Sequence, residues 1–374
     1  MTDKRKVIVW GPGRLGGFVL RVLLQRPDEF DVVGVFAFSE HKDGKDIGEL
    51  VGLPRRGVAV TRDRGQIFAL EADVVIFTPL VALGPTQSHR DALRLLASGK
   101  NLLLAHDYFC PSAISSEYAA EIEQACAAGQ SSVLAVGSSP GFVAERLATT
   151  LAGHTLEVAH VDVLERMDCT DLDAHVYPLL GFGARPDDFP REQIIAMFDH
   201  MYRQTPHAVA AQLGQRLDRV EVDARFATTV RVLETTTAPV PPGTVAGTEF
   251  SWTGFIDDEP FVTITCRWVC DLQIPGWEVN NDWVITVDGT PSLQITYARG
   301  LSFAEGSRHG GAITDPDGEH WLDSQSWTSV AAFVNAIPGV IDAPAGHLVA
   351  PVFGAPKHRK AGSTLQLRST ENAR

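Results

Sequence analysis

The residues with the clearest chemical potential lie near the N-terminus, in the run Val7-Ile8-Val9-Trp10-Gly11-Pro12-Gly13-Arg14-Leu15-Gly16-Gly17. A β-branched apolar stretch enters a glycine turn, and a segment with helical apolar spacing (Leu15, Phe18, Val19, Val22, Leu23) leaves it. Strand, Gly-x-Gly-x-x-Gly and helix in that order suit a dinucleotide. Gly11 permits the sharp turn, Gly13 has no Cβ to hold a pyrophosphate away, and Gly16 lets helix and strand pack closely. The phosphates would rest on amide groups at the helix N-terminus, where the macrodipole favours negative charge. A plain tight turn uses the same glycines; the flanking strand and helix favour the nucleotide.

Such a turn needs an open α/β sheet to hold it, and the next 130 residues read as one. Asp31 to Phe38, Ala72 to Leu80, Asn101 to Ala105 and Ser132 to Val136 are short apolar runs typical of strands buried on both faces. Gln87 to Ala97 and Ser115 to Ala128 read as helices, with Gly99 and Gly129 as stop signals. The alternation predicts a Rossmann-type, doubly wound parallel sheet over residues 1–145. Ligands of such sheets bind beyond the carboxyl ends of the strands. That places Ser39, His41 and Lys42, then Thr78 and Pro79, then His106, Asp107 and Tyr108, and finally Ser138, Ser139 and Pro140 along one crevice. An NAD site usually ends its second strand in Asp or Glu, bonded to the ribose 2′-hydroxyl. Here the strand ends in Phe38-Ser39, followed by Glu40-His41-Lys42. A small hydroxyl beside basic side chains suits a 2′-phosphate, and Arg14 is a second candidate phosphate contact. NADP(H) is therefore favoured, while Glu40 keeps NAD(H) open.

Beyond residue 145 the pattern changes. Leu156 to Arg166 reads as a strand, Met167 to Pro190 is irregular, and Gln193 to Leu217 is mostly helical. Alternating runs follow at Phe226 to Thr236, Thr248 to Ile256, Pro260 to Gln273, Trp283 to Val287 and Ser292 to Ala298. They predict a largely antiparallel sheet in a second, α+β domain over residues 146–328. Six of the seven tryptophans follow residue 250, which fits a face packing an apolar substrate or partner, or an ordinary core. A last helix is expected near Ser329 to Ala336, and the tail after Lys357 is polar.

Composition narrows the function further. The net charge of −14 argues against a general affinity for nucleic acid or anionic membranes. The most apolar window, Val74 to Leu83, is too short to span a bilayer. The charged start Met1 to Lys6 leads directly into the first strand and does not resemble a signal peptide. The five cysteines are scattered, and Cys266, Trp268 and Cys270 share one strand face, a packing pattern and no zinc pair. The expectation is a reduced, cytoplasmic protein without a structural metal.

These features together resemble the dihydrodipicolinate-reductase-like superfamily, in the branch of 2,4-diaminopentanoate dehydrogenase and the native amine dehydrogenases. The turn Gly11 to Gly16 is similar to the superfamily's glycine-arginine turn, and Ser39 to Leu53 to the segment after its second strand. Ser138-Ser139-Pro140-Gly141-Phe142 is similar to the loop beside the nicotinamide, and Gly181-Phe182-Gly183 to an element of the substrate domain. Asn335 to Val340, followed by Ala343 to Gly346, looks like the closing helix and loop. The resemblance implies that residues 329–374 return to complete the dinucleotide domain, and that residues 146–328 bind substrate and form a homodimer. It also implies reversible hydride transfer between nicotinamide C4 and a carbonyl or imine carbon of a small-to-medium apolar substrate.

One departure matters. The branch carries a glutamate pair after the fifth strand, where this chain has His106-Asp107-Tyr108-Phe109-Cys110. Asp107 keeps a carboxylate, His106 is a candidate acid or base near neutral pH, and Tyr108 is a candidate proton donor. In the substrate domain Asp168 and Tyr177 are the candidate substrate contacts, with Glu165, Arg166, Asp171 and His175 weaker ones. The competing readings are an amine dehydrogenase-like enzyme, a carbonyl or double-bond reductase without amine chemistry, and a non-catalytic NADP-binding sensor that kept the fold.

Overall fold

The computed structural model describes residues 4–79, 85–170, 172, 176–235, 239–300, 313–314, 321–322, 324–350 and 352. The N-terminal half alternates strand and helix as the apolar runs require. It comprises β1 (Arg5–Trp10), α1 (Arg14–Leu24), β2 (Phe30–Phe36), α2 (Ile47–Leu50), β3 (Val60–Thr61), α3 (Arg64–Ala69), β4 (Val74–Phe77), α4 (Pro85–Ala97), β5 (Asn101–Leu104), α5 (Ser116–Gly129) and β6 (Ser132–Ala135). These strands form a parallel sheet in the order β6-β5-β4-β1-β2-β3. The order reverses direction between β1 and β4, so the topological switch point falls where Gly11 and Thr78 leave the sheet.

Both sheet faces are covered, which is why the strands read as unbroken apolar runs. Val7 and Val9 pack with α1 on one face, while Ile8 and Trp10 pack with α4 and α5 on the other.

The chain then passes through a π-helical segment (Val143–Ala148) and α6 (Thr149–Ala152) into β7 (Val158–Asp168). It continues through α7 (Tyr177–Leu180), α8 (Arg191–Tyr202), α9 (Gln204–Gln212), β8 (Arg219–Thr228), β9 (Val245–Ile256), β10 (Glu259–Val269), β11 (Asp282–Gly289) and β12 (Leu293–Ala298). The second sheet has the order β12-β11-β7-β10-β9-β8, with only the β7–β10 pair parallel. Its inner face is a core in which Trp252, Trp268 and Trp283 are buried beside Phe198 and Tyr202 of α8. Ordinary core packing therefore accounts for these three tryptophans. Cys266, Trp268 and Cys270 all lie in that core, in line with their spacing.

Several boundaries differ from the sequence reading, among them β10, which ends at Val269 short of the expected Gln273, and two others have a clear physical cause. The run expected at Phe226 to Thr236 starts earlier, as β8, because Arg219 already pairs with Phe255. It ends at Thr228, where the Thr229 hydroxyl turns to the Asp271 carboxylate (2.7 Å) and the ladder stops. The last helix, α10 (Ser324–Ile341), runs through Pro338. Ile337 and Val340 on either side are wholly buried against the first sheet, and that packing outweighs the hydrogen bond the proline removes. After β13 (Ile313–Thr314) and β14 (Trp321–Leu322), β15 (Gly346–Leu348) adds a seventh, parallel strand beside β6. The polar tail after Lys357 lies outside the described residues.

Candidate functional site

The glycine turn is built as its three glycines require. Gly11 has φ +89°, and a Cβ there would stand 2.2 Å from the Thr78 carbonyl oxygen. A Cβ on Gly16 would meet the Gly11 oxygen at 2.3 Å and the Thr78 hydroxyl at 2.4 Å. Thr78 Oγ1 donates to the Gly11 carbonyl (2.9 Å), locking the turn to the end of β4. A Cβ on Gly13 would meet nothing within 4 Å. Gly13 is the N-cap of α1 and brings no side chain to cap the helix. The turn therefore presents open space and a helix N-terminus to the cleft, a fit for a pyrophosphate.

The cleft has a volume of about 430 Å³ and runs past Gly11 to Gly16, Ser39, Lys42, Thr78, Pro79 and His106. Val176, Leu179 and Met197 close it from the second domain. Lys42 Nζ donates to the Pro12 carbonyl (2.6 Å), placing a cation between the end of β2 and the glycine turn. Burial, with Lys45 nearby, holds the Lys42 pKa below its usual value. Arg14 and Leu15 also line the cleft, whereas His41 is exposed outside it. His41 was expected to face the ligand; the 3-10 turn Glu40–Lys42 directs Lys42 inward in its place.

At the far end the chain leaves β5 in a strained conformation. His106 (φ 70°) and Tyr108 (φ 64°) both adopt the left-handed region, which side-chain-bearing residues rarely enter. Between them, Asp107 is held by three donors. Oδ1 accepts from the Tyr108 amide (2.7 Å) and from Gln204 Nε2 (2.7 Å), and Oδ2 accepts from the Tyr118 hydroxyl (2.7 Å). His347 contacts the Tyr108 carbonyl through Nε2 (2.6 Å). His106 lines the cleft and also a small inner cavity of about 50 Å³ between α4, the β5 loop and His200 of α8. Its Nδ1 is buried without a hydrogen-bond partner among the described residues. Burial, reinforced by His200 and opposed by Asp107, lowers the His106 pKa to about 4, so the imidazole is neutral at physiological pH.

Tyr108 does not reach the cleft. It is 1% exposed, and its hydroxyl contacts His89 Nδ1 (2.7 Å) behind Asp107. That placement corrects the expectation of a direct proton donor.

The loop after β6 faces a neighbouring cavity of about 510 Å³, lined by Ser138, Gly141, Phe142, Tyr297 and Asn335 among others. Thr328 Oγ1 of α10 donates to Ser138 Oγ (3.3 Å), and the Tyr202 hydroxyl donates to the Ser139 carbonyl (3.2 Å). The Ser139-Pro140 peptide is cis. Buried Glu145 accepts from the Gly141 amide (2.8 Å) and the Thr205 hydroxyl (2.8 Å), and burial raises its pKa.

The substrate-domain candidates lie elsewhere. The Asp168 carboxylate caps its own turn, accepting from the Thr170 amide (2.9 Å) and hydroxyl (2.7 Å). Tyr177 is buried, with its hydroxyl donating to the carbonyls of Cys169 (3.2 Å) and Thr170 (3.0 Å). Its neighbours Val176 and Leu179 face the cleft instead, so the expectation for Tyr177 is corrected. Glu165 is clamped in the core by the indole N–H groups of Trp268 and Trp283, each at 2.8 Å. Arg166 makes a bidentate pair with Asp282, with both contacts at 2.7 Å. Asp171 and His175 lie outside the described residues. The sequence reading missed His89, Tyr118, Glu121, His200 and Gln204; none sits in a local motif.

Known proteins share part of this chain's sequence and its overall fold. Residues 5–84 match the family described as Dihydrodipicolinate reductase, N-terminus. A 4-hydroxy-tetrahydrodipicolinate reductase of Methanococcus maripaludis is 32% identical over 163 residues, which is 41% of this chain and 57% of that protein. The chain thus spans little more than half the length of this curated relative. An amine dehydrogenase from Mycobacterium smegmatis superposes with a TM-score of 0.70 at 19% identity, covering 93% of this chain and 95% of that one. GenD2 from gentamicin A biosynthesis, solved in complex with NAD, gives 0.51 at 18% identity, over 92% and 87% of the two chains. These likenesses show the fold: an α/β protein with a Rossmann-type sheet and a second, mostly antiparallel sheet.

Proposed function

We propose that the chain is an NAD(P)H-dependent oxidoreductase. It moves hydride between nicotinamide and a carbonyl or imine carbon of a small-to-medium apolar substrate, with NADP(H) preferred. One observation carries the reading: a single cleft joins the open Gly13 turn at one end to neutral His106 at the other. The first end fits a pyrophosphate, and the second sits where the reactive ring of a dinucleotide lies in such sheets.

The bound nicotinamide supplies the hydride. The chain's own tasks are binding, orientation and proton handling. Leu15 and Gly16 amides, at the start of α1, receive the pyrophosphate. Lys42 and Ser39 receive the 2′-phosphate. Ser138 and Pro140 fix the carboxamide side. His106, as a neutral imidazole, hydrogen-bonds the substrate heteroatom without bringing a competing charge. Asp107 is the fixed anion next to it. Its three hydrogen bonds hold the side chain in place and orient the loop.

Residues 1–145 with 329–374 are taken as the dinucleotide unit, and 146–328 as the substrate and dimerisation unit. The outer face of the six-stranded sheet is the homodimer surface in this reading. Amine chemistry rests on fold analogy with the Mycobacterium smegmatis enzyme and is tested directly.

The experiment is a thermal-shift comparison of millimolar NADPH and NADH, then NADPH consumption over an aldehyde and ketone panel with and without ammonium. Protection by NADPH and reduction of a carbonyl are expected. Dependence on ammonium identifies an amine dehydrogenase, and independence a carbonyl reductase. Binding without turnover indicates the sensor reading, and no protection by either nucleotide refutes all three.

A further inference from the structure

The cavity of about 510 Å³ beside the β6 loop holds three polar side chains that the proposed cofactor site leaves unused: Arg146 of the π-helical segment, Tyr297 of β12 and Asn335 of α10. None of the three makes a side-chain hydrogen bond or ion pair with another described residue. The Arg146 guanidinium has a ring contact alone, 5.7 Å from the Phe142 centroid. Elsewhere in the second domain arginines are spent on carboxylates, Arg166 on Asp282, Arg231 on Asp271, and both Arg225 and Arg267 on Glu249. Glu145, next in the chain, is engaged by the Gly141 amide and the Thr205 hydroxyl. Among the described residues no Asp or Glu lines the cavity, so its one charge is positive in a chain of net charge −14.

The backbone sets this arrangement. The Arg146 and Leu147 amides both bond to the Phe142 carbonyl (3.1 and 2.9 Å), so Phe142 and Arg146 stand one turn apart on the widened helix, a form that recurs at functional sites. The Phe142 and Tyr297 rings lie 6.2 Å apart at 57°, and Phe142 is 37% exposed. On the opposite wall α10 contributes Ala331, Ala332 and Ala336, whose methyl groups leave the space open. The volume falls within the range of about 300–1,000 Å³ that organic ligands occupy.

We propose that this cavity binds an organic monocarboxylate with an apolar body, the carboxylate paired with Arg146 and the body packed against Phe142 and Tyr297. A guanidinium offers two parallel N–H groups in a plane, which match the two oxygens of a carboxylate. It keeps its place over the Phe142 ring while doing so. The Asn335 amide and the Tyr297 hydroxyl supply further donors at the same cavity. A phosphate monoester carries close to two charges and calls for more than the one cation present. Ser138 also lines the cavity, so in the reductase reading the bound acid is the substrate, an oxo or imino acid with its reacting carbon toward the nicotinamide. That role rests on the reductase reading; the binding of the carboxylate does not.

The test is titration calorimetry of the full chain, with and without NADPH, using phenylalkanoates from phenylacetate to 5-phenylpentanoate and the primary amide of each. The best acid is expected to bind at least about tenfold more tightly than its amide. In Arg146→Gln the acid falls to the affinity of the amide, and because Arg146 is exposed the melting temperature stays native. Arg146→Lys, with the charge but not the fork, recovers part of the loss. Ala332→Leu, which fills the cavity, weakens acid and amide alike. Equal affinity for acid and amide, binding of neither, or undiminished acid binding in Arg146→Gln overturns the site. In turnover with NADPH, 4-oxo-4-phenylbutanoate and 5-oxohexanoate are expected to exceed their methyl esters by at least about tenfold in kcat/KM, and Arg146→Gln raises KM for the acids alone. Arg146-dependent acid binding without reduction of any carbonyl compound refutes the reductase reading and leaves the site supported. Reduction of acids and esters at equal kcat/KM, unchanged in Arg146→Gln, supports the reductase reading and overturns the acid as its substrate.

Discussion

One substitution placed at two glycines separates binding from folding in the N-terminal turn. At Gly13 the backbone has φ −76°, which alanine adopts without strain, and the new methyl would meet nothing within 4 Å. Gly13→Ala should therefore change stability by no more than about 0.5 kcal/mol, as for a surface site. If the open space is where a pyrophosphate sits, the same methyl holds the phosphates off the α1 amides. A loss of one good contact set corresponds to at least about 1.4 kcal/mol, or tenfold in NADPH affinity. Gly11→Ala meets the opposite situation. Its φ of +89° costs alanine about 1–2 kcal/mol. Its methyl would stand 2.2 Å from the Thr78 carbonyl oxygen, a main-chain atom that cannot swing aside. Overpacking of that kind adds about 1–3 kcal/mol. A total of about 2–5 kcal/mol lowers Tm by roughly 5–15 °C at a few degrees per kcal/mol. Thermal melts with NADPH titration calorimetry read both quantities. Native-like NADPH affinity in Gly13→Ala, or a Tm loss there equal to that of Gly11→Ala, would refute the assignment of this turn.

Three further outcomes follow from the same geometry. Lys42→Ala should weaken NADPH by about tenfold or more while leaving NADH within about twofold, because the lost cation serves the 2′-phosphate; equal losses by calorimetry would assign Lys42 to the pyrophosphate. His106 has a folded-state pKa of about 4, below its unfolded value, so the folded state binds fewer protons and stability falls as pH drops from about 6.5 to 4. The full effect is up to about 3 kcal/mol, and His106→Gln should flatten that window in urea melts at stepped pH; an unchanged pH profile contradicts a buried neutral imidazole. Glu165→Gln leaves one of two indole N–H groups facing an amide donor, so it should cost about 2–3 kcal/mol in urea denaturation with cofactor affinity intact.

Five strands of the first sheet, β1, β2, β4, β5 and β6, were readable because they are buried on both faces and read as short apolar runs between turn signals, whereas β3 and β15, two and three residues long, carry no such run. The glycine turn was readable because strand, glycines and helix are contiguous. The edge strand β8 was misplaced because it has one partner and one buried face, and its polar start carries little apolar signal. Pro338 hid the end of α10, since a local helix breaker was outweighed by packing against a distant sheet. The polar half of the site was hidden for a related reason. Asp107 meets Tyr118 across 11 positions and Gln204 across 97, and His89 meets Glu121 across 32. On the sequence these partners are ordinary polar residues of three helices.

The β5 loop gives His106 and Asp107 different surroundings. Two left-handed residues with side chains cost about 1–3 kcal/mol each, and the loop persists only if its surroundings hold it. Those surroundings come from Tyr118 on α5, Gln204 on α9 and His347 on β15, three segments far apart in the chain. Hydrogen bonds to a carboxylate contribute about 1.5–3 kcal/mol each, enough in sum to offset the strain. Because Gln204 stands on the second domain and His347 on the returning C-terminal strand, the loop takes its shape only when both are docked on the first sheet. Asp107 takes the contacts from Tyr118 and Gln204 together with the Tyr108 amide, while His347 holds the Tyr108 carbonyl, and three donors fix the carboxyl group in place. His106 lines the cleft and carries a buried ring nitrogen without a hydrogen-bond partner among the described residues. In the proposed reading Asp107 is therefore the fixed group and His106 the one that faces the ligand, a difference set by backbone conformation.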